Sequence, residues 1–188
     1  RQMCLRDSRY IVHRDYLDRL LEQLDLGTGV VLVGQDWGSV LAFDWARRHA
    51  DRVAGVVHFE ALVTPFDWAE FPEAPGTEAS ARAWFKALRS EEGERMLLQD
   101  NLFVERRIPE RTLRNITEAE MAVYRSPYRN PGEERRATLT WARQIPISGE
   151  PADVHEIVAA HAAWLQASEV PKVLIRAEPG VLVQGERI

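Results

Sequence analysis

The chain has 188 residues, 45% hydrophobic and 28% charged, with a net charge of −5, which suits one large globular domain or one and a half. Arg106-Arg107 and Arg135-Arg136 are isolated pairs beside glutamates and no basic block exists, so a nucleic-acid partner is not expected. No apolar run reaches membrane-spanning length and no signal-peptide pattern precedes the first helix, which argues against a membrane partner. The single cysteine, Cys4, rules out an internal disulfide and suits a reducing cytoplasm.

Residues 1–10 read as polar and irregular. From about His13 to Leu26, the residues Leu17, Leu20, Leu21 and Leu24 recur at helical spacing. They predict an amphipathic helix with one buried stripe, stopped by Gly27 and Gly29. Val30-Val31-Leu32-Val33 predicts a fully buried strand that breaks at Gly34. A helix restarts at Gly38, carries Val40, Leu41, Phe43, Asp44, Trp45 and Ala46, and ends near Arg47-Arg48-His49.

Between the two glycines stands Asp36. Strand, G-x-D-x-G, helix is the form of a nucleophile elbow, with Asp where a lipase carries Ser. The turn is tight enough that a Cβ at Gly34 or at Gly38 is expected to collide with the neighbouring strand or helix. Asp36 is then held out of the sheet on strained backbone, at a helix N-terminus that favours an anion. The same residues also suit a βα turn whose Asp only caps the helix. Trp37, directly after the Asp, favours the catalytic reading.

Residues 53–59 predict a second buried strand with Glu60 at its end. Strand, helix, strand with short connections gives a parallel, right-handed βαβ unit. Asp36 and Glu60 then both lie at carboxyl ends of strands, where open α/β sheets keep their working residues. Beyond Thr64 the texture changes. Residues 66–72 are aromatic and irregular, 72–76 are rich in Pro and Gly, and short helices follow over 78–89, over 91–101 and after the capping box Thr117-x-x-Glu120. Pro127, Pro131 and Gly132 mark a loop. Residues 153–167 predict a longer helix with Val154, Ile157, Val158, His161 and Leu165 on one stripe, and 170–175 a third buried strand before a final loop at Pro179-Gly180.

The fold class is therefore α/β, a parallel sheet core with an inserted helical cap. Residues 1–63 form core, 64–150 the cap, and 151–188 a returning helix and strand. Trp68, Trp84, Phe85, Phe103, Trp141 and Ile145 either line an apolar pocket beneath the cap or form its own core.

Taken together, Gly34-Gln35-Asp36-Trp37-Gly38, His58-Phe59-Glu60, Asn101-Leu102-Phe103-Val104-Glu105, the run from Ile145 to Pro151 and the run from Val170 to Ile175 resemble the haloalkane dehalogenases of the α/β-hydrolase fold. Ser90-Glu91-Glu92-Gly93-Glu94 and Thr138-Leu139-Thr140-Trp141 resemble the branch that includes Renilla-type luciferase. The resemblance implies a partial α/β-hydrolase fold and assigns roles by position. Asp36 would displace halide from an sp³ carbon and form an ester. Trp37 would donate its indole N–H to the departing halide and its backbone N–H to the oxyanion. Glu60 would be the acid that orients a histidine, with Glu178 the second choice. Trp68, Phe103 and Ile145 would line the pocket. The implied substrate is a small apolar haloalkane with water, the product includes a halide ion, and no cofactor or metal is called for.

Three other readings stay open. An epoxide hydrolase shares the elbow and needs two lid tyrosines; Tyr124 and Tyr128 are available, with Pro127 between them. A coelenterazine-type oxygenase follows from the branch. A non-catalytic fragment or pseudoenzyme would bind an apolar ligand or partner. The chain also departs from the family pattern. The Gly-x-His base loop would follow residue 188, and the His-Gly-x-Pro loop with the first strands would precede residue 1. None of His13, His49, His58, His155 and His161 stands in the base's context. The expectation is a chain truncated at both ends, its elbow strand left with an uncovered apolar edge, which is inactive or is alkylated once at Asp36 and stalls.

Overall fold

The computed structural model describes residues 9–71, 80–180 and 182. The expectations for the polar start with Cys4, the Pro/Gly stretch over 72–76 and the end of the chain lie outside the described residues. In chain order the main elements are helix α1 (Tyr10–Gln23), strand β1 (Val30–Asp36), helix α2 (Trp37–Arg48), strand β2 (Val53–Ala61), helices α3 (Ala81–Leu88), α4 (Glu118–Arg125), α5 (Arg136–Gln144) and α6 (Ala152–Ala167), and strand β3 (Lys172–Leu174). They fall into two compact units. A sheet unit comprises His13–Asp67 with Pro146–Ile188, and a helical unit comprises Trp68–Ile145 with the first twelve residues.

The sheet unit is the α/β core that the patterning predicts. Its three strands lie in the order β1-β2-β3, all parallel, with Leu32 opposite Val56, Val33 opposite Val57 and Val57 opposite Val173. Side chains alternate between the two faces of each strand. Leu32, Val56 and Leu174 lie on one face and pack with Phe43 and Ala46 of α2 and with Trp164 and Leu165 of α6. The other face differs from the fully buried strand expected. Val31 is 57% exposed, Val33 67% and Val173 54%. The reason is topological: among the described residues β1 is an edge strand, and helices cover one face only.

Polar contacts hold α1 in the sheet unit more than its apolar residues do. Leu20 and Leu24, expected on a buried stripe, are exposed. Arg48 instead makes two hydrogen bonds of 2.8 Å to Asp18, and also reaches Asp44, 3.0 Å away. Asp44 is fully buried. Its carboxylate is balanced by Arg47 as well, at 3.0 Å, as a buried charge requires. Where the chain leaves the sheet unit and re-enters it, the two segments are bonded to each other. The Phe66 N–H donates to the Pro146 carbonyl, the Ser148 N–H to the Phe66 carbonyl, and the Ser148 hydroxyl to Asp67 at 2.9 Å.

The helical unit has its own core of Trp84, Leu88, Leu97, Leu98, Leu139 and Ala142, with Phe85 packed against it. Of the candidate pocket aromatics, Trp84 and Phe85 thus belong to that core. The capping box at the head of α4 forms as predicted: the Thr117 hydroxyl accepts from the Glu120 N–H and the Glu120 carboxylate from the Thr117 N–H. The helix expected over 91–101 forms over residues 92–99, with a change of geometry part-way. A single turn, Glu92–Glu94, widens into a π-helical turn, Arg95–Gln99, and a second one, Phe103–Arg107, follows Asn101. The ends of helical segments leave carbonyls without an intrahelical partner. Arg135 meets such carbonyls here. Buried, it donates to the carbonyls of Leu98, Gln99, Tyr128 and Arg129. One member of the isolated Arg135-Arg136 pair is therefore internal. No helix of the described residues is long and apolar enough to cross a membrane.

Two histidines flank Phe43 in the sheet unit. The His58 and His161 rings meet it edge-on, with centroids 5.1 and 5.2 Å away. Burial lowers the pKa of both, that of His161 to about 4. His161 Nε2 lies 3.1 Å from the Leu62 carbonyl, so the neutral imidazole fits as a donor. A group with a lowered folded pKa stays neutral while the unfolded chain takes up the proton. Stability is therefore complete above pH 6.5 and is lost as pH falls towards 4. For His161 alone the expected loss is about 3 kcal/mol. Urea unfolding of the sheet unit at pH 7, 5 and 4 measures it, and His161→Gln is expected to flatten the slope.

Candidate active site

β1 ends at Asp36 and α2 begins at Trp37 with no residue between them. Such a turn needs the backbone of α2 to pass very close to β1. A Cβ on Gly34 would stand 2.7 Å from the Ser39 Cα and 2.8 Å from the Ser39 nitrogen, and both are backbone atoms that cannot step aside. At Gly38 the expected collision is absent: an added Cβ meets nothing within 4 Å, because that position faces outward on the first turn of α2. One glycine, not two, makes the elbow.

Asp36 itself has φ 51° and ψ −124°, a conformation that a non-glycine residue holds only at a cost of about 1–3 kcal/mol. It stands in the N-cap position, yet its side chain makes no capping hydrogen bond. The capping alternative is therefore not what this carboxyl does. Burial pushes its pKa above the ordinary aspartate value and the negative charge of Glu60 pushes it further, while a hydrogen bond from the Trp37 backbone N–H pulls the other way. The outcome is a carboxylate poorly stabilised as an anion, as a nucleophile should be.

Glu60 reaches this position through a bulge. Gln35 pairs with Phe59 and Asp36 with Ala61, so Glu60 is the extra residue between them. Its φ is 43°. Bulges of this kind turn a side chain away from the ladder. The Leu182 N–H donates to Glu60 Oε2 at 3.0 Å. Glu178, the second choice for the acid, is exposed on the loop that leads to Leu182. Asp36, Trp37 and Glu60 thus lie together at the carboxyl ends of β1 and β2.

The other candidates belong to the helical unit. Trp68 opens the 3₁₀ turn Trp68–Glu70, and its ring carries the Arg89 guanidinium 5.6 Å from the centroid. Phe103 begins the second π-helical turn and is partly exposed. Ile145 is the extended residue directly after α5, and its carbonyl accepts from Arg89. Among the histidines, His13 lies in α1, His49 ends α2, His58 is in β2, and His155 and His161 are in α6.

Residues 1–154 match the family model for the alpha/beta hydrolase fold. The chain belongs to the α/β-hydrolase fold family. Within it, the chain is similar to the haloalkane dehalogenase of Sphingobium indicum, 55% identical over 94% of this chain and 57% of the relative. Its structure is similar to that of the haloalkane dehalogenase DbeA from Bradyrhizobium elkani, with a TM-score of 0.84 and 40% identity over 97% of this chain and 61% of that one. It is also 38% identical to the coelenterazine h 2-monooxygenase of Renilla reniformis, over 92% of this chain and 54% of that one. The chain spans less than two thirds of the length of each of these relatives. Sequence reasoning missed the approach of Gly180 and Leu182 to Glu60. The Pro179-Gly180 pair signals a turn, but nothing local to it says what the turn packs on.

The elbow geometry separates its two glycines. Gly34→Ala is expected to cost about 2–3 kcal/mol, since the overpacked neighbour is backbone. Gly38→Ala, on an open helical position, is expected to change stability by about 1 kcal/mol or less, in the stabilising direction. Thermal melts of the two variants beside the parent chain check both.

Proposed function

We propose that Asp36 is the nucleophile of a hydrolytic dehalogenation. The observation that carries this reading is a half-buried carboxyl, free of any capping role, on a strained elbow beside a second carboxylate. The similarity to haloalkane dehalogenases supports it. An Asp36 oxygen attacks the carbon that bears the halogen. The carbon–halogen bond breaks and the halide leaves with the electron pair, taking a hydrogen bond from the Trp37 indole N–H. The product of this step is an alkyl ester of Asp36. Attack of water on the ester carbonyl then frees an alcohol, with the oxyanion facing the Trp37 backbone N–H. Trp68, Phe103 and Ile145 are proposed to line the substrate pocket.

The second step needs a base. Glu60 is suited to orient a histidine, but His58 and His161 are buried against Phe43, and His13, His49 and His155 lie on α1, at the end of α2 and on α6. We assign the base to none of these five. The chain alone should then accept one alkyl group and stop. The similarity to the Renilla enzyme supports a second reading, oxidation of a coelenterazine-type substrate by molecular oxygen.

Incubation with 1-bromohexane, followed by intact-mass measurement and bromide assay, tests the first step. One hexyl adduct at Asp36 and one equivalent of bromide are expected, and Asp36→Asn should give neither. The nucleophile must be ionised, and its pKa is raised. Alkylation should therefore slow as pH falls through a midpoint above that of an ordinary aspartate. An adduct that persists in Asp36→Asn would remove the nucleophile from this role. Continued bromide release by the chain alone would show that one of its own histidines serves as the base. Light emission with coelenterazine and oxygen, without alkylation, would favour the second reading.

A further inference from the structure

Gly180 and Leu182 meet the carboxylate of Glu60 in two different ways. The Leu182 N–H donates to Oε2 at 3.0 Å. On the other oxygen, a Cβ added to Gly180 would stand 2.7 Å from Oε1 and 2.8 Å from the Ala177 carbonyl. The backbone of Gly180 is not in the left-handed region, so its conformation does not call for glycine. Space does: any side chain here would drive the carboxylate away or open the loop. The loop is itself anchored, because Leu182 packs against the sheet unit's core of Phe43, Ala46, Val56 and Ala61. Glu60 is the extra residue of a bulge, on left-handed backbone, which turns its side chain out of the regular alternation of the strand.

We propose that Gly180 and Leu182 are positioning residues for Glu60, a two-point cradle that fixes the orientation of its carboxylate at the end of β2. The cradle acts through Glu60. It sets where the negative charge sits relative to Asp36 and which way the carboxylate faces the group it orients. This inference rests on the reading of Glu60 as the acid of the site.

The test uses the whole chain with ¹³C-labelled Asp and Glu carboxyl groups and follows the Asp36 and Glu60 titrations by NMR. Glu60→Gln removes the charge and should lower the Asp36 midpoint. Gly180→Ala should displace the charge and move that midpoint measurably from its parent position. In the double variant the Asp36 midpoint should equal that of Glu60→Gln alone, because a residue that works only through Glu60 adds nothing once the charge is gone. A merely structural role for Gly180 would not show this pattern.

A second readout needs no change at Gly180 and so survives any failure of that variant to fold. The Leu182 amide proton should shift with the titration of Glu60 in the parent chain and lose that dependence in Glu60→Gln. An unmoved Asp36 midpoint in folded Gly180→Ala, a further shift in the double variant, or a Leu182 amide indifferent to Glu60 would overturn the cradle. None of these readouts involves a haloalkane. A chain that passes them but is not alkylated by 1-bromohexane keeps the cradle and loses the dehalogenase reading; a chain that is alkylated but fails them does the reverse.

Discussion

The approach of α2 to β1 at Gly34 is the constraint on which the site depends. Because the Ser39 backbone occupies the space where a Cβ would stand, the chain turns from strand to helix without a linker. Asp36 then has no regular conformation open to it and adopts φ 51°. The core of the sheet unit holds that strain. Phe43 and Ala46, on the same helix, pack with Leu32, Val56 and Leu174, and Asp44 is fixed by Arg47 and Arg48. Strained backbone of this sort persists only where packing over-determines it, and here packing lies directly behind it.

A second strained residue answers the first. Glu60 also has positive φ, at the end of the adjacent strand, and arrives there through a change of register that lets one residue drop out of the pairing. Two carboxylates at neighbouring strand ends repel, which is part of why the Asp36 pKa rises. A fold that needed only stability would not keep them so. The Leu182 backbone N–H compensates at Glu60, and the Trp37 N–H does so at Asp36. Both donors are main-chain groups, so substitutions at Leu182 or Trp37 that preserve the backbone leave the donors themselves in place.

Much of this was legible in the sequence, where local chemistry decides structure. The run of β-branched residues into Gly34 and the restart as a helix gave the elbow, the capping box at Thr117 gave the head of α4, and the strand texture of residues 53–59 placed Glu60 at a strand end. What failed was what depends on distant packing. The periodicity of Leu17, Leu20, Leu21 and Leu24 is helical, but it cannot say whether a partner surface exists, and Leu20 and Leu24 are exposed. Val31 and Val33 carry the same composition as a buried strand, yet among the described residues their strand is at the sheet's edge and both side chains are exposed. The π-helical turns at Arg95–Gln99 and Phe103–Arg107 have no local signature, and the Leu98 and Gln99 carbonyls of the first are met by Arg135, 37 and 36 residues on in the sequence, with nothing local to announce the pairing. Gly38 failed in the opposite sense: the motif contains it, but the steric reason offered for it does not apply.

The parts that set the character of Asp36 all lie in the sheet unit: Gly34, Trp37, Glu60, Gly180 and Leu182. The residues proposed to meet the substrate's apolar portion, Trp68, Phe103 and Ile145, all lie in the helical unit. The first group acts through backbone strain, fixed N–H donors and a neighbouring charge, which fall off over a few ångströms and require rigid support. The second group would act through shape and apolar surface, which tolerate exchange among side chains of similar volume. Arg135 buried on four carbonyls gives the helical unit its own internal brace. The helical unit has its core in Trp84, Leu88, Leu97 and Leu139, and the sheet unit has its own in Phe43, Ala46, Val56 and Ala61.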